Sequence, residues 1–69
     1  MNNLIKEINE LLSEEKLVLD CSNGGFKVQM KEKNGVIDIS PRGSKKEIQF
    51  FLVGMLQTLE LIRKKNNLV

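Results

Sequence analysis

The chain has 69 residues, 41% of them hydrophobic and 29% charged, with a net charge of +2, a single cysteine and no histidine. At this length one hydrophobic core supplies only about 3–5 kcal/mol, so a single domain spanning residues 1–69 is expected, with oligomerisation as a natural source of further support. A lone cysteine excludes an intramolecular disulfide framework, and one thiolate without any imidazole leaves no ordinary metal site, so neither metal nor cofactor is expected.

Leu4, Ile5, Ile8, Leu11 and Leu12 recur at helical spacing, with Asn2 or Asn3 as N-cap, which predicts an amphipathic helix over residues 3–14 with an acidic outer face. From Lys16 the period changes to two. Leu17, Leu19 and Cys21 share one side, so Cys21 reads as a small core residue. Asn23-Gly24-Gly25 tolerates positive φ and reads as a turn. Phe26, Val28 and Met30 then alternate with Lys27, Gln29 and Lys31, the pattern of a strand with one buried and one cationic face. A second turn at Asn34-Gly35 returns the chain into a strand over Val36 to Ser40.

Pro41 and Gly43 end the strand pattern. Ser44-Lys45-Lys46-Glu47 has the form of a capping box and opens a long helix over residues 45–65. The order is α-β-β-β-α, an α+β domain in which a three-stranded antiparallel meander carries both helices on its apolar face.

Neither a signal peptide nor a membrane span is expected. Lys6, Glu7 and Glu10 interrupt the first helix, and the apolar run at residues 50–56 is far shorter than the ~20 residues a span requires. A cytoplasmic location follows. No carboxylate has a histidine, a glycine-rich phosphate loop or a metal-binding spacing beside it, so an enzyme and a small-molecule substrate are not expected.

Two features point to binding. The second helix is apolar on both sides: Ile48, Phe51, Leu52, Met55, Leu59 and Ile62 suit the sheet, while Phe50, Val53, Gly54, Gln57 and Leu61 lie opposite and suit an interface, most simply a homodimer. Cover by helix 1 or by the C-terminal tail is the competing explanation. The charge is also uneven. Residues 1–30 carry three lysines against five acids, and residues 31–69 carry eight basic residues against four acids. Lys45 and Lys46 in a first helical turn make a candidate phosphate corner, to which Lys27, Lys31 and Lys33 of the hairpin add cationic charge. Arg63, Lys64 and Lys65 fit a helix C-terminus without further purpose.

The segment Phe26-Lys27-Val28-Gln29-Met30, the Asn34-Gly35 turn and Gly43-Ser44-Lys45-Lys46-Glu47-Ile48 resemble the second and third strands and the Ser-Lys-Lys signature of the double-stranded-RNA-binding domain, a helix, three-strand meander, helix module. The resemblance covers residues 16–62 and implies phosphate contacts from Lys45 and Lys46 across the major groove, with helix 1 and the loop Ser22 to Gly25 at the flanking minor grooves. Gln49 stands where that family has a third basic residue. In size, topology and composition the chain is also similar to small phage anti-CRISPR proteins. That likeness implies a host-protein target bound through Phe50, Val53 and Leu61. The leading reading is thus a homodimer in sequence-independent contact with the phosphates of a double-stranded nucleic acid; the competing one is a phage or mobile-element inhibitor or adaptor that binds a host protein, and a purely structural oligomerisation role is the third.

Overall fold

The structure is a computed structural model that describes residues 1–22 and 24–67. Asn23 of the expected first turn and tail residues 68 and 69 lie outside them. The elements are α1 (Asn2–Leu11), β1 (Lys16–Asp20), β2 (Lys27–Glu32), β3 (Gly35–Asp38) and α2 (Lys45–Asn67). The strands form one antiparallel sheet in the order β1-β2-β3, the expected meander.

Leu17 faces Met30 and Leu19 faces Val28 across β1 and β2. Because successive strand side chains alternate between faces, this register gathers Leu17, Leu19, Val28 and Met30 on one side of the sheet. Ile8 of α1 and Ile48 and Leu52 of α2 close over it, and with Leu17 and Val28 they are the buried apolar residues among those described. Both helices therefore pack on one face, as the alternation requires.

The boundaries differ from expectation for local reasons. Met1, not Asn2 or Asn3, is the N-cap of α1, and it makes no side-chain capping bond. The helix stops at Leu11 rather than at residue 14, because Leu12 turns extended (φ −90°, ψ 151°). The chain must reverse quickly there, since Asn9 of α1 is tied to β1. Its Oδ1 accepts the Leu17 N–H at 2.7 Å and its Nδ2 donates to the Leu17 carbonyl at 3.2 Å. One asparagine side chain thus takes the two Leu17 backbone groups that a fourth strand would otherwise bond.

At the far side, β3 ends at Asp38 instead of Ser40. Ile39 and Ser40 both donate their N–H to the Val28 carbonyl, at 3.0 and 3.3 Å, which is the two-against-one pattern of a β-bulge. The Ser40 hydroxyl is buried and accepts the Val28 N–H at 2.9 Å, replacing the lost ladder bond. Gly24 (φ 74°) and Gly35 (φ 149°) carry the positive φ that their turns demand.

Three packing expectations fail. Cys21 is exposed, because β1 has ended at Asp20 and the alternation no longer governs it. Phe51 and Ile62 are 36% and 51% exposed, so they flank the core stripe of α2 rather than belonging to it. For Ile62 the cause is length. The 10-residue α1 spans about 15 Å and the 23-residue α2 about 35 Å, so the end of α2 outruns its cover. Ile62 lies instead in an open cleft with Glu10, Leu11, Leu59 and Arg63.

Candidate functional site

The start of α2 is pinned to the start of β2. Phe26 and Gly43 exchange backbone hydrogen bonds of 2.9 and 2.8 Å just before the helix begins. Arg42 reinforces this joint. Its guanidinium pairs with Asp20 at 2.6 Å and donates to the carbonyls of Ser22 and of Gly25, the latter at 3.3 Å, so it binds the β1–β2 loop to the helix entry. The Arg42 hydrogen bond, followed by the Ser22 N–H and hydroxyl, holds the Asp20 carboxyl at about 2. Nothing in the local sequence around Arg42 announces this contact, because its partners lie about twenty residues away and meet it only through the sheet register.

The expected capping box is present. The Ser44 N–H donates to Glu47 Oε1 at 2.9 Å, and the Glu47 N–H donates to Ser44 Oγ at 3.2 Å. The Ser44 N–H, followed by the Ser44 hydroxyl, keeps the Glu47 carboxyl below its usual range. A carboxylate therefore already stands at the positive end of the helix dipole, and any anion affinity at this corner rests on the ammonium groups of Lys45 and Lys46. Both lysines are exposed.

The other expected cationic residues do not join them. Lys27 forms an ion pair with Asp38 at 3.1 Å, and Gln29 donates to the same carboxylate at 2.8 Å. Lys27 is thus neutralised within the sheet rather than free for phosphate. The Gln29 hydrogen bond and then Lys27 hold the Asp38 carboxyl below the ordinary range. Lys31 lies directly across from Lys16 on the outer sheet face, and with Lys33 they share a groove with Glu14 and Glu32. That hairpin end is separated from the Lys45 corner by the length of β2, roughly 20 Å at the usual rise per residue. The hairpin lysines and the helix lysines form two separate groups, the first of them interleaved with acids.

The outer face of α2 is as the spacing predicts. Phe50, Val53, Gly54, Gln57 and Leu61 fall opposite Ile48, Leu52, Met55 and Leu59 at 100° per residue. Phe50 is 66% exposed and Leu61 61%, while Val53 is half-buried. Helix α1 covers the inner stripe and not this one. Gly54 sits mid-helix, where glycine costs about 1 kcal/mol relative to alanine. Apart from its chain neighbours and its own helix backbone, no atom of the described residues lies within 4 Å of the position its Cβ would occupy.

The lysine corner and the apolar stripe meet here, since Lys46, Phe50 and Val53 are i, i+4 and i+7 on one helix. Lys45, Lys46, Gln49, Phe50 and Val53 line one groove of about 350 Å³ along the first turns of α2. The face is an apolar stripe with a cationic head. No helix among the described residues is long and apolar enough to cross a membrane. No protein-family model, curated protein or solved structure matches the chain.

Proposed function

We propose that the chain is a small non-catalytic binding domain whose working surface is the outer face of α2 and whose partner is a protein. The observation that carries this reading is the stripe Phe50, Val53 and Leu61, with Phe50 and Leu61 well exposed, on a helix whose other side already supplies the core. A helix apolar on both sides loses free energy to water unless something covers the second side. A host-protein target of the anti-CRISPR kind and a second copy of the chain both fit such a face.

Contact with the phosphates of a double-stranded nucleic acid is the second reading. It is supported by Lys45 and Lys46, which make no ion pair among the described residues and stand at the head of the stripe. The pairing of Lys27 with Asp38 and the glutamates beside Lys31 and Lys33 count against a broad phosphate-binding surface.

Phe50→Glu separates these readings, since it leaves the fold intact while placing a charge in the stripe. Protein retention that the native chain shows and Phe50→Glu loses, at both low and high salt, supports the protein reading. Identical retention by the two forms refutes it. Binding to a labelled RNA duplex that weakens with salt and vanishes in Lys45→Glu/Lys46→Glu supports the second, because phosphate neutralisation releases counterions.

A further inference from the structure

Phe50, Gly54, Gln57 and Leu61 follow one another at intervals of four, three and four residues, the spacing of a seam between two packed helices. Gly54 has no use for its missing side chain within the chain: it lacks the positive φ of Gly24 and Gly35, and the space around it is open. Close approach by an external backbone gives it one.

The surface area points the same way. The chain exposes 5194 Å². A compact monomer of its mass, 7.9 kDa, exposes about 4,400 Å² by the usual scaling. The radius of gyration of 12.7 Å likewise exceeds the roughly 11 Å of a compact chain of this length. The extra area belongs to an elongated molecule, 45 × 29 × 18 Å, in which the outer face of α2 stands clear of the core.

Resting on the reading of this face as protein-binding, we propose that its occupant is a second copy of the chain, with α2 packed antiparallel on α2 about a two-fold axis between residues 55 and 56. In that register Phe50 meets Leu61 of the second copy and Gly54 meets Gln57, so a large side chain enters the gap that glycine leaves. Parallel pairing would set Gly54 on Gly54, leaving a void, and would bring the Lys64 flank of one helix against the Lys65 flank of the other. Antiparallel pairing sets Glu47 on the flank of Lys65 and keeps one like-charged contact, Lys46 with Lys64. It also opposes the two helix dipoles instead of aligning them.

Sedimentation equilibrium of the full chain, from micromolar to hundreds of micromolar, tests the occupant. The expected result is a dimer whose dissociation constant rises at least ~100-fold in Phe50→Glu and in Leu61→Glu, as charge entering a buried hot spot demands. Circular dichroism of both variants checks that the monomer remains folded. A spin label at Lys45→Cys, in a Cys21→Ser background, tests the direction. The antiparallel register puts the two labelled backbones roughly 30 Å apart, whereas parallel helices would hold them within about 10–15 Å. A monomer at every concentration, a dimer indifferent to Phe50→Glu, or a short label separation overturns the proposal. A monomer that still retains a different protein in a Phe50-dependent way refutes the second copy alone. A monomer without such retention refutes the protein-binding reading as well.

Discussion

Replacing Asn9 by alanine removes both hydrogen bonds that close the outer edge of β1, at 2.7 and 3.2 Å. Each such bond contributes about 0.5–1.5 kcal/mol net, and a buried N–H left without a partner costs about 1–3 kcal/mol. Leu17 is only 2% exposed, so its N–H regains water poorly. Alanine returns roughly 0.5 kcal/mol through its better helix propensity. The net loss is then about 2 kcal/mol, near half of what a core of this size supplies. For a domain in the 60–100 residue range that lowers the unfolding midpoint by roughly 8–16 °C. The measurement is thermal and urea unfolding followed by circular dichroism in the Phe50→Glu background, which removes any dependence on protein concentration. Asn9→Asp keeps an acceptor for the Leu17 N–H but loses the donor to its carbonyl, so it should fall between the native chain and Asn9→Ala. A midpoint for Asn9→Ala within about 2 °C of the native value would refute the assignment of Asn9 as the cover of the β1 edge.

Acid should destabilise the fold through Asp20. Its folded carboxyl titrates at about 2 against an ordinary 3.8, so the unfolded chain takes up the proton first, and stability present above pH ~4 is lost as pH falls towards 2. Arg42→Ala should flatten that part of the stability–pH curve, and an unchanged curve refutes the clamp. Glycines 25 and 54 should respond oppositely to alanine. A Cβ at Gly25 would meet Arg42 Cγ at 3.0 Å and the Gly43 carbonyl oxygen at 3.2 Å, so Gly25→Ala should cost about 1–3 kcal/mol in urea unfolding. Gly54→Ala faces open space and should stabilise the monomer by about 1 kcal/mol while weakening self-association in sedimentation.

Much of the architecture is legible in residue order because its causes are local. The period-two runs from Lys16 and Phe26, the glycines at the two turns and the Ser44–Glu47 capping box each depend on neighbours within a few positions. The structure carries each of these elements at the expected place. The two-sided apolar pattern of α2 likewise exposes the stripe Phe50 to Leu61, since 100° per residue places it opposite Ile48 and Leu52 whatever else the chain does.

Residue order does not decide where long-range partners meet. Lys27 reads as a free cation until the β2–β3 register sets Asp38 within 3.1 Å of it. Cys21 reads as core until Asp20 is drawn to Arg42 and the strand ends one residue early. Asn9 reads as an ordinary polar position on a helix, yet only the packing of α1 beside β1 gives its amide the Leu17 backbone to bond. Local spacing determined the elements and the second apolar face of α2. The tertiary structure alone decided which charges are neutralised and which sheet edge is closed, because side chains eight to twenty-two residues apart meet only once the sheet register and helix packing exist.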